Sequence, residues 1–248
     1  MTTHFGFQKV TPAEKTQKVL KVFTSVASKY DLMNDFMSFG LHRLWKDSFI
    51  RDLSPYPGMR LLDMAGGTGD ITLRFLKKTE KMNPRPTVLL CDMNKDMLEA
   101  GCAKIIDQGI VDRVTYECCD AASVPFQDAT VDAYTIAFGL RNVTKVEQAL
   151  QEAYRVLKPG GRFLCLEFSK VGIPFLNKIY KRYSFNVIPK LGKWIARDEA
   201  AYQYLVESIE RFPDQETLKK LLEDAGFHYV KYRNLSQGIV AIHSAVKG

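Results

Sequence analysis

Leu61-Leu62-Asp63-Met64-Ala65-Gly66-Gly67-Thr68-Gly69-Asp70 runs from an apolar segment into a cluster of glycines. A segment with helical apolar spacing, Ile71 to Lys77, follows directly. This is the pattern of a strand, a tight turn and a helix. Glycines let such a turn close sharply and let its backbone approach a ligand. Outward from it the alternation continues. Strand-like runs fall at Met59 to Asp63, Thr87 to Asp92, Val114 to Cys118, Ala133 to Ala137 and Arg162 to Glu167. Helix-like runs lie between them at Ile71 to Lys77, Lys95 to Asp107 and Lys145 to Leu157, the last stopped by Lys158-Pro159-Gly160-Gly161. Near-continuous apolar strands separated by helices predict a parallel α/β sheet covered on both faces.

The flanks complete this plan. Thr11-Pro12-Ala13-Glu14 offers a Thr cap, Pro at the first helical position and a Glu that closes a capping box. Val19, Phe23, Val26 and Tyr30 then recur at helical spacing. Toward the C-terminus, Asp214 to Ala225 reads as a helix. Two strands follow it, His228 to Asn234 and Ile239 to Val246, joined by a hairpin turn at Ser236-Gln237-Gly238. The 248 residues suit one domain, with a helical cap over about 11–50 and a lid insertion over about 171–212.

Composition narrows the function. The five cysteines show no metal-ligand spacing, and Cys91 and Cys165 lie in strand-like runs, as small core residues do. No run approaches the ~18 apolar residues of a membrane span. The N-terminus shows neither a signal peptide nor an Arg-rich presequence, so an organelle address, if one exists, is expected to be absent from this chain. The net charge of +7 is concentrated. Between Val171 and Arg197 stand Lys178, Lys181, Arg182, Lys190, Lys193 and Arg197, with no acidic residue and many aromatics. Such a segment suits an anionic membrane surface or the walls of an apolar channel, and a packed insertion with solvated lysines is the plainer alternative.

The glycine-rich turn is expected to hold a nucleotide-like cofactor. Asp92 ends the second strand about 20 residues on, where a carboxylate can accept from both ribose hydroxyls. Asp120-Ala121 ends the third, within reach of an adenine amino group. A dinucleotide and S-adenosyl-L-methionine share this geometry. Asp63, just before the glycines, would repel a pyrophosphate but suits the amino end of a sulfonium cofactor. The turn also resembles the Asp-x-Gly-x-Gly-x-Gly of class I methyltransferases, with Ala65 in place of the first glycine.

Three longer segments are more specific. They are Tyr30-Asp31-Leu32-Met33-Asn34 through Gly40-Leu41-His42-Arg43-Leu44-Trp45, Phe138-Gly139-Leu140-Arg141-Asn142-Val143, and Arg155-Val156-Leu157-Lys158-Pro159-Gly160-Gly161 through Glu167-Phe168-Ser169. Together they resemble the ubiquinone/menaquinone biosynthesis C-methyltransferase family from about Thr11 to the C-terminus, and the wording is nearest its mitochondrial members. Arg197 departs from the Asn or Gly expected there. The resemblance implies a Rossmann-like class I methyltransferase fold, with a mostly parallel seven-stranded sheet and a helical lid. It implies S-adenosyl-L-methionine as cofactor, held by Asp63, Gly67, Thr68, Gly69, Asp92, Met93, Asp120, Ala121 and Ala137. It also implies methylation of a ring carbon of a polyprenyl benzoquinol, 2-methoxy-6-polyprenyl-1,4-benzoquinol, at the matrix side of the mitochondrial inner membrane. A multi-enzyme complex and a homodimer belong to the same expectation.

That chemistry needs a group that accepts a phenol proton, a group that stabilises the phenolate, and an apolar channel. It needs no metal. Arg141 and Asn142 follow the fourth strand at the carboxyl edge, where such sheets bind ligands. Arginine stays protonated, so Arg141 is expected to stabilise the phenolate or orient a water, and Asn142 to hold that water or the quinol oxygen. The plainer alternative is a solvated loop arginine and a capping asparagine. Tyr30 is expected to close over the quinol unless it is a core aromatic, and His42 is a candidate base unless it is structural. The main rival is an RNA methyltransferase, given the basic charge. No Asn/Asp-Pro-Pro-aromatic motif or RNA-binding motif appears, so nucleic acid is not an expected partner. A catalytically idle scaffold is the second rival, and the intact glycine turn and Asp92 argue against it.

Overall fold

A computed structural model describes residues 2–26, 34–35, 38, 40–171 and 199–248. The N-terminus forms a small hairpin, β1 (Thr3–Phe5) and β2 (Gln8–Val10), followed by α1 (Pro12–Val26). The capping box closes as expected: the Glu14 carboxylate accepts from the Thr11 backbone N–H at 2.7 Å, and the Glu14 N–H donates to the Thr11 hydroxyl at 3.3 Å. After α2 (Leu41–Leu53) the alternating unit begins. It comprises β3 (Arg60–Met64), α3 (Asp70–Lys78), β4 (Thr87–Asp92), α4 (Lys95–Ile106), β5 (Val114–Cys118), β6 (Val131–Ala137), α5 (Val146–Val156) and β7 (Leu157–Phe168). Helices α6 (Glu199–Arg211) and α7 (Gln215–Asp224) precede β8 (Phe227–Leu235) and β9 (Val240–Lys247).

The seven strands of the main sheet lie in the order β5-β4-β3-β6-β7-β9-β8. Strands β3 to β7 pair in parallel, and β9 enters antiparallel between β7 and β8. The expected parallel sheet and C-terminal hairpin are both present, and Ser236–Gly238 makes the connecting turn. The period of two along each strand sends neighbouring residues to opposite faces. Leu61, Val88, Leu164 and Ile242 pack with α2, α3 and α6 residues such as Phe49, Phe75 and Tyr202 on one face. Leu62, Leu89, Phe163 and Ala245 pack with α5 and α7 residues such as Leu150 and Leu222 on the other. Cys91 and Cys165 lie buried in these strands, as the apolar runs suggest. Of the expected lid, only Val171 and the α6 end are described; the basic segment from 172 to 197 lies outside the described residues, as does Tyr30.

Strand β3 sends its chain toward β4 on one side, while β6 on its other side arrives after two further crossovers. This reversal of winding opens a crevice at the carboxyl ends of β3 and β6. Helix α4 closes on it tightly through Gly101. A Cβ at that position would stand 2.5 Å from the Gly67 carbonyl oxygen and 3.2 Å from the Thr68 carbonyl carbon. Replacing a mid-helix glycine with alanine ordinarily stabilises by about 1 kcal/mol. Here the order reverses, because the clash is with backbone. Gly101→Ala is expected to destabilise by roughly 1–3 kcal/mol and to weaken cofactor binding by displacing the glycine turn. Urea unfolding and calorimetric titration check both, and a stabilised variant with unchanged binding would contradict this packing.

Candidate active site

The crevice holds a cavity whose floor comes from the ends of four parallel strands. Asp63, Met64 and Ala65 come from β3, Asp92 and Met93 from β4, Cys119, Asp120 and Ala121 from β5, and Ala137 and Phe138 from β6. Ala65 and Phe138 turn off neighbouring strands with φ of 51° and 56°. Positive φ is uncommon for non-glycine residues and an outlier for a bulky one, and such backbone gathers where ligands bind. Gly139 makes the pair sterically feasible, since a Cβ there would meet the Ala65 Cβ at 2.5 Å.

Helix α1 roofs the cavity with Val19, Leu20 and Phe23. Side-chain bonds fasten it on both sides of the crevice. The Asn94 amide donates to the Leu20 carbonyl and the Thr24 hydroxyl, each at 3.0 Å, and Thr24 donates to Asp96 at 2.8 Å. On the other side the Lys15 ammonium donates to the Val143 carbonyl at 2.9 Å, and Thr16 meets Thr144 at 3.2 Å. The helical spacing of Val19 and Phe23 is legible in the sequence, but it reads as core packing; nothing local announces that this face covers a ligand.

Most expected cofactor residues converge here. Asp63, Gly67, Thr68, Asp92, Met93, Asp120, Ala121 and Ala137 all line the cavity. Gly69 does not. It takes φ 74° as the N-cap of α3, and a Cβ would stand 2.9 Å from Ile105. Its glycine answers a turn and a packing contact, not a ligand contact. Asp92 Oδ2 accepts the Gly67 N–H at 2.9 Å and Oδ1 accepts the Asn94 N–H at 2.8 Å, which fixes the carboxylate beside the turn. Asp120 Oδ1 accepts the Ala122 N–H at 2.9 Å. Asp63 has no solvent exposure and accepts from the Thr72 and Thr135 hydroxyls at 2.7 and 2.9 Å.

The expected catalytic residues separate. Asn142 lines the cavity, and its carbonyl oxygen accepts from the Tyr204 hydroxyl at 2.9 Å. Arg141 is not on the cavity wall. Its guanidinium donates to Glu167 Oε1 at 2.8 Å and to the Phe138 carbonyl, and both charged side chains are almost fully buried. Burial pushes the Glu167 carboxyl above its ordinary value, and Arg141 opposes that rise. This placement gives no support to the expected contact of Arg141 with the quinol: a buried cation needs a carboxylate, and Glu167 supplies it. His42 is likewise buried and bonds Asp35 Oδ1 through Nε2 at 2.8 Å. It is not on the cavity wall, so this placement gives no support to a role as base.

Charge decides which cofactor fits. Among the described residues, four carboxylates line the cavity, from Asp63, Asp70, Asp92 and Asp120, against one cation, Lys46. A pyrophosphate would meet repulsion here, whereas S-adenosyl-L-methionine, with a sulfonium and an ammonium against one carboxylate, carries net positive charge. Burial pushes both Asp63 and Asp92 up to about 6, above the ordinary 3.8. Between those values the folded protein holds protons that the unfolded chain has released. The contribution of these groups to ligand-free stability therefore falls as pH rises through that window. A cationic cofactor favours the ionised carboxylates, so binding is expected to tighten from about pH 5 to 7 and to release protons near pH 6. Titration calorimetry in buffers of different ionisation enthalpy measures this; pH-independent affinity without proton release would contradict it.

Known proteins resemble this chain in sequence and in fold. A mitochondrial 2-methoxy-6-polyprenyl-1,4-benzoquinol methylase from Danio rerio is 52% identical over 276 aligned positions, covering 99% of this chain and 84% of that protein. The Homo sapiens protein of the same name is 50% identical, with 99% and 84% covered. A crystallised SAM-dependent methyltransferase from Aquifex aeolicus superimposes with a TM-score of 0.59 at 17% identity, over 82% of this chain and 89% of that one. That likeness shows the shared fold. S-adenosyl-L-methionine is the cofactor that this fold and this family use. The profile of the ubiE/COQ5 methyltransferase family matches residues 11–247, and the chain belongs to that family.

Proposed function

We propose that the chain transfers a methyl group from S-adenosyl-L-methionine to a ring carbon of 2-methoxy-6-polyprenyl-1,4-benzoquinol, in the mitochondrial pathway to ubiquinone. The observation that carries this reading is the near-complete alignment with relatives bearing that name, at 50–52% identity, joined to a cavity in which Asn142 faces the cofactor site. The cofactor supplies an electrophilic methyl. A quinol ring carbon becomes nucleophilic when a neighbouring hydroxyl loses its proton, so the site's task is to hold an oxyanion against the cavity edge. Asn142 is a donor on the cavity wall beside the 138–142 loop, and Tyr204 orients its amide. Arg141 acts one step back, holding the 138–142 loop through Phe138 and Glu167. Transfer of labelled methyl to short-tailed benzoquinol, short-tailed naphthoquinol and bulk RNA tests the reading. Turnover confined to the benzoquinol is expected, and transfer to RNA, or to neither quinol, overturns it.

Two variants divide the roles. Asn142→Ala is expected to lower methyl transfer by about 10²-fold, the scale for losing one oxyanion donor, at a stability cost of about 1 kcal/mol from the orphaned Tyr204 hydroxyl. Arg141→Ala is expected to lose activity together with roughly 3–5 kcal/mol of stability, because Glu167 is left buried and unpaired. Urea unfolding beside steady-state kinetics separates them. An Arg141→Ala protein of full stability and no activity would return Arg141 to direct contact with the quinol.

The same proposal places the protein peripherally on the matrix side of the inner membrane, in a biosynthetic complex and as a homodimer. No described helix is long and apolar enough to cross a membrane. A polyprenyl quinol is nearly insoluble in water, so the enzyme meets it at a bilayer or receives it from a partner. The six cations between Val171 and Arg197 suit anionic headgroups at about 1 kcal/mol each. Reversing charge at Lys178, Lys181 and Lys190 is expected to abolish co-sedimentation with anionic liposomes while sparing turnover of a short-tailed quinol. Equal binding to neutral and anionic vesicles would contradict it.

A further inference from the structure

Lys46 is the one lysine or arginine on the cavity wall among the described residues, and its origin is unexpected. It comes from α2, an element outside the alternating strand–helix unit. Its side chain is 5% exposed, and its ammonium lies 2.7 Å from Asp70 Oδ2. Asp70 begins α3 directly after the glycine turn, and Arg74 holds the other Asp70 oxygen at 2.9 Å. These cations keep Asp70 ionised, down at about 2, despite its burial. Asp47 meets Arg74 in turn, so the ammonium sits at the end of a chain of charges running in from the surface. A lysine this deep loses its hydration and needs anionic neighbours. An ammonium has three donors, and among the described residues Asp70 engages one of them.

The position defines what the remaining donors meet. Asp92 and Asp120, at the ends of β4 and β5, mark the ribose and adenine side of the cavity. Lys46 and Asp70 stand with Asp63 and Thr68 on the β3 and α3 side, opposite the ends of β4 and β5, and a cofactor whose ribose meets Asp92 would turn its amino-acid end toward them. That end is a zwitterion. Its ammonium would meet carboxylate oxygen at Asp63, and among the described residues of the cavity wall its carboxylate would meet a cation only in Lys46. We propose that Lys46, aimed by Asp70, binds the α-carboxylate of S-adenosyl-L-methionine and so selects the intact cofactor over adenosyl sulfonium compounds that lack this group. The sequence hides this residue, because a lysine on an amphipathic helix reads as solvated surface.

The test compares two ligands that differ only in that group, S-adenosyl-L-methionine and its decarboxylated form, by titration calorimetry on the intact chain. The native protein is expected to prefer the intact cofactor by about 10- to 100-fold, the range for a charge-assisted hydrogen bond. In Lys46→Met this preference collapses toward unity or below, and affinity for the decarboxylated compound does not fall, which also shows that the pocket remains folded. Lys46→Arg recovers part of the preference. An undiminished preference in Lys46→Met overturns the assignment. So does an equal loss of affinity for both compounds, which would make Lys46 a support for pocket shape. Because the readout is cofactor binding, it stands apart from the identity of the methyl acceptor.

Discussion

A carboxylate with no solvent exposure stands where three elements meet. Asp63 ends β3, and its two oxygens accept from Thr72 on α3 and Thr135 on β6. Burial works against its charge, and two hydroxyl donors return only part of the lost hydration. The carboxyl is consequently displaced to about 6, poised between its two protonation states. The arrangement ties the strand, the helix after the glycine turn and the neighbouring strand at the point where the sheet reverses its winding. Everything that builds the cavity is referred to this junction. The positive φ of Ala65, the close approach of Gly101 and the roof of α1 all shape the cavity beside it.

The second organising contact is the Arg141–Glu167 pair. A buried ion pair gives little net stability, since desolvation offsets most of the attraction, but removing one partner is costly. Its effect is geometric. Glu167 lies on β7 and also accepts the Phe168 N–H at 2.9 Å, so the guanidinium bonded to it locks the 138–142 loop against the sheet. Asn142 is thereby presented to the cavity from a loop that is otherwise only one turn of 3₁₀ helix, Leu140–Asn142. Tyr204 on α6 closes the far side, and Phe5 of the N-terminal hairpin stacks on it with ring centroids 4.1 Å apart. The hairpin, α6 and the 138–142 loop form one packed unit beside the cavity.

The fold was legible wherever a local pattern carries the information. Apolar runs ending in Asp63 and Asp92, the Lys158-Pro159-Gly160-Gly161 stop and the Thr11–Glu14 box all specify local geometry, and each element stands within a few residues of its expected place. Strand β7 begins earlier than expected, because residues after Leu157 continue in extended form through the stop signal. The convergence of the expected cofactor residues on one cavity was legible for the same reason, since strand ends at a switch point are a topological rule. Side-chain direction was not. Nothing in Phe138-Gly139-Leu140-Arg141 distinguishes an arginine facing substrate from one facing Glu167, a partner 26 residues away. The roof residues of α1 and the ammonium of Lys46 depend on how a helix from outside the repeating unit lies across the sheet, which periodicity does not encode.

A crystal structure of the chain with S-adenosyl-L-homocysteine tests the central claim, that one acidic cavity under α1 holds the whole cofactor. The account places the ribose hydroxyls on Asp92, the adenine beside Asp120 and Ala121, and the amino-acid end between Asp63 and Lys46, with Asn142 facing the sulfur side. A cofactor lying outside the α1 roof, or reversed so that its amino-acid end meets Asp92, would contradict it.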